Sequence, residues 1–247
     1  MVFGNKKSSS RNVRTGVPQG AVSSPLLFSF YLAKIPLPPN GIEIVQYADD
    51  ISIYASGTDI KSLCQQINAY LDTLLDFLEE RELLVSPEKS TVTFFTPDTK
   101  EYNVHPQVFL RNNLVRWEQK PKLLGVTFDA LHKFNHHINL AINNTRSKIN
   151  ILKQFAGSNW GQDKKTIVNT YKSIGRSILE YGCQIWGPII SPSLWIKLQT
   201  LQNQALRIAT GCLKMTNADH LHQETKVLPL RPHVTLLTQQ FLLANHL

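Results

Sequence analysis

The stretch Ile42-Glu43-Ile44-Val45-Gln46-Tyr47-Ala48-Asp49-Asp50-Ile51-Ser52-Ile53-Tyr54-Ala55 decides how this chain folds. Apolar residues recur on both sides of Ala48-Asp49-Asp50, which predicts two short strands, over 42–47 and 51–55, joined by an acidic turn. Adjacent residues in a strand point to opposite faces. A hairpin tip relaxes that rule, so Asp49 and Asp50 can present both carboxylates on one side. Magnesium seeks hard oxygen ligands and is usually held by one or two carboxylates plus substrate phosphates. Two such ions, about 3.5–4 Å apart, clamp the attacking and leaving oxygens of a phosphoryl transfer. Tyr47 and Ala48 fix the entry into the turn. Taken alone, the same four residues also read as an ordinary acidic surface hairpin.

Working outward, the upstream segment is Gly16-Val17-Pro18-Gln19-Gly20, followed by Ser24-Pro25-Leu26-Leu27-Phe28. Two glycines around Pro-Gln make a tight loop that another chain can approach closely. Gln19 carries both donor and acceptor groups, suited to a base edge or a sugar. Ser24 is placed to cap a helix whose first turn holds Pro25. That helix is apolar nearly all round from Leu26 to Ile35, which predicts burial; Pro36, Pro38, Pro39 and Gly41 end it. Downstream, a helix is expected from 59 to about 84. Leu63, Ile67, Leu71, Leu74 and Leu78 form its buried face, with Asp72, Asp76, Glu79 and Glu80 mostly outside. Further strands are expected over 91–96, 107–110, 114–117 and 123–128, with a turn at Arg111-Asn112-Asn113. Residues 16–129 thus predict helices on a mostly antiparallel sheet.

After Asp129 the spacing turns helical. One helix carries Ile138, Ile142, Thr145, Ile149 and Leu152. A second carries Ile167, Tyr171, Ile174 and Ile178, with Lys165, Lys172 and Arg176 expected on the opposite face. Helices around 194–209 and 234–244 complete a bundle, interrupted by the segment from Glu180 to Pro188. The fold class is therefore α+β, with a domain over 1–129 and a helical one over 130–247.

Bulk properties agree with a soluble intracellular protein. Of 247 residues, three are cysteines, Cys64, Cys183 and Cys212, which supports neither a disulfide framework nor a Cys-based zinc site. No apolar run reaches the roughly 18 residues of a membrane span, and no signal peptide is evident. The net charge of +8 is uneven. Residues 1–100 hold 9 Lys and Arg against 11 Asp and Glu, whereas residues 101–247 hold 17 against 7. A basic region beside an acidic hairpin suits a polyanionic partner, and also reads as a merely solvated basic surface. His132, His136 and His137 have helical spacing without a metalloprotease pattern and read as surface or capping histidines. The tryptophans read as core.

Taken together and in this order, the Gly16–Gly20 loop, the Ser-Pro-Leu-Leu-Phe helix and the Tyr-Ala-Asp-Asp hairpin resemble the reverse transcriptases of non-LTR, jockey-like retrotransposons. Leu84-Val85-Ser86-Pro87-Glu88-Lys89-Ser90 resembles the family's next motif, and Lys122-Leu123-Leu124-Gly125-Val126 its primer-grip segment. Leu179-Glu180-Tyr181-Gly182 and Ile185-Trp186-Gly187 resemble parts of its C-terminal region. The resemblance implies a partial polymerase palm followed by an all-helical thumb. It implies transfer of a nucleotide from a dNTP to a DNA primer on an RNA template. Asp49 would be the main Mg²⁺ ligand and Asp50 its support, and Lys89 a proton donor to pyrophosphate. Gly16, Pro18, Gln19, Gly20, Tyr47 and Ala48 would border the nucleotide. Leu124, Gly125, Lys165, Lys172 and Arg176 would contact primer and template.

The family takes another metal-binding aspartate from a strand before the Gly-Val-Pro-Gln-Gly loop, and nothing before Gly16 is acidic. Two ions are expected in the intact enzyme and weak, single-ion binding here. The missing N-terminal part of the element's polyprotein is a further expected partner, and location is expected to be nuclear or cytoplasmic. Two other readings stand beside this one: a non-catalytic nucleic-acid-binding module, and an inactive retrotransposon remnant.

Overall fold

The computed structural model describes residues 2–3, 6–7, 16–17, 20–157 and 161–245. Two compact units emerge, Met1–Val92 with Pro106–Arg116, and Thr93–His105 with Trp117–Leu247. The first unit contains β1 (Val2–Phe3), β2 (Lys6–Lys7), α1 (Ser24–Tyr31), β3 (Ile42–Tyr47), β4 (Asp50–Ala55), α2 (Ile60–Glu79), β5 (Thr91–Val92), β6 (Phe109–Leu110) and β7 (Asn113–Leu114). Next comes β8 (Arg116–Trp117), and β9 (Lys122–Leu123) and β10 (Val126–Thr127) open the helical part. There follow α3 (Asn135–Phe155), α4 (Lys164–Tyr171), a π-helical segment (Lys172–Arg176), α5 (Ser177–Glu180) and α6 (Cys183–Trp186). The last three helices are α7 (Pro192–Thr210), α8 (Ala218–Thr225) and α9 (Leu230–Asn245).

Mixed α+β character is as expected, but the continuous antiparallel sheet is not formed. Among the described residues, strands pair only in twos. The expected strands over 91–96, 107–110, 114–117 and 123–128 shrink to two-residue ladders. The main sheet is the hairpin β3–β4, in unbroken antiparallel register from Ile42↔Ala55 to Tyr47↔Asp50. Alternation sends Ile44, Ile51 and Ile53 toward α2, where they join a core of Leu71, Leu74, Leu75 and Leu78. That core explains why α2 begins where its spacing predicts, although the helix ends at Glu79 rather than near residue 84. Asp59 caps it, accepting from the Lys61 and Ser62 amides at 3.1 Å each. The acidic face is solvent-exposed but not idle. Asp72, Asp76 and Glu79 all bind Arg111 from the β6–β7 turn, and the hydrogen bonds that Arg111 donates to Asp76 and Glu79 push the guanidinium pKa up.

Helix α1 departs from expectation. Its N-cap is Ser23 rather than Ser24, without a side-chain capping bond. The expected burial is confined to one side. Phe28, Leu32 and Ile35 reach the α2 core, whereas Leu26 and Phe30 stay 61% and 71% exposed. An all-round apolar helix is buried only where something covers every face, and the described residues of this unit cover one. Its end is anchored by the Tyr31 hydroxyl, which donates to the Arg81 carbonyl at 2.6 Å.

The second unit is organised around α3 and α7, with Ile138, Ile149, Leu152, Leu179, Trp186, Leu198 and Leu206 at its centre. Here the helical spacing holds until residue 172. There the backbone widens into the π-helical segment, which inserts one extra residue into the turn. Within it, the ring of fully buried Tyr171 comes so near Gly175 that a Cβ there would lie 2.9 Å from ring carbon Cδ2. The inserted residue rotates everything after it. Arg176, expected on the outward face, is therefore turned inside and only 6% exposed. Its Nε donates to Glu180, which also pairs with His233 Nδ1 at 2.7 Å. Trp186 and Trp195 pack against each other in the core, and Trp117 stacks on His105; Trp160 lies outside the described residues.

Candidate functional site

Four of the expected site residues converge at the tip of β3–β4. Tyr47 and Asp50 are the last paired residues, and Ala48 and Asp49 make the two-residue turn. The expected three-residue turn is thus one residue shorter, because Asp50 begins β4. Ala48 lies in the left-handed region, φ 54°, where a Cβ costs roughly 1–2 kcal/mol. The Gln46 side chain braces the turn, its Nε2 donating to the Ala48 carbonyl at 3.0 Å. By alternation Asp50 shares the face of Tyr47 and Tyr54, opposite the α2 core. Asp49 and Asp50 are both solvent-exposed, and Tyr47 is 64% exposed.

Two adjacent exposed carboxylates are hard oxygen donors of the kind magnesium takes together with substrate phosphates. Among the described residues, no group of three His, Cys, Asp or Glu side chains gathers to hold an ion. The donor set fits the protein's share of a weakly held cation completed by phosphates and water.

Gly16 and Gly20 both adopt left-handed backbone, φ 84° and 85°, the conformation that justifies glycine at each end of this loop. Pro18 and Gln19 lie outside the described residues. Lys89 is exposed in a turn closed by the Ser90 amide and hydroxyl, both donating to the Ser86 carbonyl.

The second unit holds the other expected contacts. Leu124 and Gly125 form the two-residue turn of β9–β10, both left-handed at φ 46° and 86°. Lys165 and Lys172 are exposed on α4 and the start of the π-helical segment. Arg176 is not with them. It is buried and ion-paired with Glu180, so it does not offer its charge to a phosphate.

Next to the Leu124–Gly125 turn lies a cleft of about 450 Å³, lined by Lys122, Gly125, Thr127, His137, Asn144 and Tyr181 among others. Three of these, His137, Asn144 and Tyr181, come from segments where the sequence suggested no site. His137 is also a correction, since it is a buried residue rather than a surface or capping one. Its Nδ1 accepts from the Thr127 amide at 3.3 Å. Burial, and secondarily the neighbouring His136, push its pKa down. The folded state thus resists protonating a ring that the unfolded chain protonates below about 6.5. Its contribution to stability is complete above that value and is lost as pH falls through it toward the depressed folded pKa. Urea denaturation at pH 7 and pH 5 is expected to show a loss of stability that His137→Gln reduces. An unchanged pH dependence in that variant would remove His137 from this account.

Among the described residues, no helix is long and apolar enough to cross a membrane.

Comparison with known proteins gives a consistent result. The family described as reverse transcriptase (RNA-dependent DNA polymerase) matches residues 1–128. The chain is 27% identical over 244 residues to a probable RNA-directed DNA polymerase from transposon BS of Drosophila melanogaster, covering 96% of this chain and 27% of the relative. It is 27% identical over 243 residues to the RNA-directed DNA polymerase from mobile element jockey of the same species, covering 96% of this chain and 26% of the relative. A probable RNA-directed DNA polymerase from transposon X-element is 25% identical over 229 residues, covering 91% and 25%. The chain therefore spans about a quarter of the length of these relatives. No solved structure matches it.

Proposed function

Because this chain belongs to the reverse transcriptase (RNA-dependent DNA polymerase) family, we propose that it is the part of a mobile-element RNA-directed DNA polymerase that carries the acidic catalytic hairpin and a nucleic-acid-holding helical region. In this reading 1–129 is palm and 130–247 is thumb. The observation that carries it is the β3–β4 tip, where Asp49 in the turn and Asp50 at the start of β4 are both exposed to solvent, Asp50 paired with Tyr47 on the face away from the core.

The reaction is attack of a primer 3′-hydroxyl on the α-phosphate of a dNTP, releasing pyrophosphate. Asp49 and Asp50 would hold Mg²⁺, which when bound offsets the charge that develops on the transferring phosphoryl group. The chain's own tasks are positional. The braced Ala48–Asp49 turn keeps the two carboxylates from collapsing onto the protein. Gly16 and Gly20, with Pro18, Gln19, Tyr47 and Ala48, would border the nucleotide. Lys89 would give a proton to the departing pyrophosphate. Leu124, Gly125, Lys165 and Lys172 would touch the template–primer backbone, and buried Arg176 drops out of that set.

The basic excess after residue 100 supports the binding half of the proposal. Phosphate contacts make affinity fall linearly with salt on logarithmic axes. Binding of a labelled RNA–DNA hybrid is expected to weaken steeply as salt rises, and Lys165→Gln with Lys172→Gln is expected to lower the slope by about one per lysine. A hybrid affinity indifferent to salt would refute the binding half. The same assay tests the alternative of a non-catalytic binding module, which the charge distribution also favours; there, hybrid binding persists while primer extension with Mg²⁺ and dNTPs is absent.

A further inference from the structure

The Leu124–Gly125 turn has a feature that its own sequence does not explain. Two consecutive left-handed residues joining paired strands are the geometry that Asn-Gly or Gly-Gly adopts readily. Leucine in the first position is strained by roughly 1–2 kcal/mol. Something outside the turn must hold it.

That support is Tyr181, 57 residues further along the chain. Its hydroxyl donates to the Leu124 carbonyl at 2.6 Å. Its ring covers Gly125 so closely that a Cβ there would meet ring carbon Cε1 at 2.9 Å. The fit is reciprocal. Gly182, itself left-handed at φ 63°, faces Val126, whose Cγ2 lies 2.7 Å from where a Cβ on Gly182 would sit. One glycine thus lies under a tyrosine and the next under a valine, and the two chain reversals lock together. The Tyr181 backbone is in turn fixed by the core: its carbonyl accepts from Nε1 of Trp186 at 2.9 Å, and Trp186 is buried at 1% exposure. Tyr181 itself is 55% exposed, so its side chain is held mainly at the turn and at the margin of the 450 Å³ cleft.

The cleft says what the turn is held for. Lys122 and Asn144 line it together with His137. Because Nδ1 of His137 accepts the Thr127 amide, the neutral ring carries its proton on Nε2. A cleft whose lining residues include a lysine, an asparagine and a histidine, with a tyrosine at its margin, suits the phosphate-sugar backbone of a nucleic acid.

We propose that Tyr181 is a positioning residue for nucleic-acid binding, its hydroxyl and ring holding the Leu124–Gly125 turn in the shape that lets a strand backbone pass beside the Lys122–Asn144 cleft. The proposal rests on the reading that this turn contacts template or primer. In this role Tyr181 acts through the turn it sets.

The test uses the full chain and a fluorescently labelled RNA–DNA hybrid. Tyr181→Phe keeps the ring and removes one hydrogen bond, an effect expected to weaken hybrid binding by about five- to tenfold with an unchanged midpoint of thermal unfolding. Gly125→Ala approaches the same contact from the other side and is expected to weaken binding further. If the parent chain binds the hybrid and Tyr181→Phe binds it equally well, the positioning role is overturned while the wider functional reading stands. If the parent chain does not bind at all, both fall. Should either variant fold poorly, hydrogen exchange on the parent chain decides. The hybrid is expected to protect 122–127 and 181–182 together, and protection of neither segment, or of 122–127 alone, overturns the proposal.

Discussion

Primer extension on an RNA template with dNTPs and Mg²⁺ is expected to fall by about 10²–10³-fold when Asp49 is replaced by Asn, in any active form of the polymerase that carries this chain. The size follows from the loss of one preorganised charge at a site of developing charge. Asn keeps the shape of the side chain and one oxygen but not the anion. The fold gives little reason for any other effect. Asp49 is exposed in a two-residue turn whose brace comes from Gln46 to Ala48. Its removal leaves the hairpin ladder and the α2 core untouched, so the unfolding midpoint is expected to move little. Asp50→Asn is expected to cost less activity, since Asp50 is the supporting partner in this assignment. Equal primer extension by parent and Asp49→Asn would sink the assignment of the hairpin as the catalytic site.

The largest expected stability effect lies at Trp186. It is fully buried against Trp195 and the α7 and α9 side chains of the second core, and its indole N–H satisfies the Tyr181 carbonyl. Trp186→Ala removes most of a large side chain from a packed interior and leaves a cavity. Comparable substitutions cost about 3–5 kcal/mol. That is a large share of the 5–15 kcal/mol typical of a whole domain, so the second unit is expected to unfold at markedly lower urea. Trp186→Phe, which keeps an aromatic ring but not the N–H donor, is expected to cost less. A loss below about 1 kcal/mol in the alanine variant would mean that this core is not packed as described.

What could be read from the sequence was local. The hairpin was legible because alternation and a short acidic turn are written in consecutive residues, while its register was set by Asp50 joining β4, which shortens the expected turn by one residue. Helix α2 was legible because its apolar spacing acts within a few residues. The rest depends on neighbours far along the chain. The apolar surface of α1 implied burial, but a sequence does not say what covers a face. The rotation of Arg176 follows from the π-helical widening over Lys172–Arg176, a change invisible to a 3.6-residue period. The burial of His137 follows from its packing near Thr127, ten residues away on a different element. The same holds for the candidate site. Asp49, Asp50 and the glycine pairs are recognisable as motifs, whereas the cleft beside Gly125 gathers residues from three separate segments. Tyr181 stands in the Leu179-Glu180-Tyr181-Gly182 stretch that resembles the family's C-terminal region, but only the folded structure shows which turn it rests on.

The Leu124–Gly125 turn also has a history within each molecule. It is strained in isolation, and its stay is 57 residues downstream. As the chain leaves the ribosome, β9 and β10 are made long before Tyr181 exists. The turn can take its final shape only after the segment from α3 through α5 has been synthesised and has packed well enough to deliver the tyrosine. The nascent protein thus acquires this surface late, and a chain released early, before residue 181, would carry every residue of the turn without its geometry.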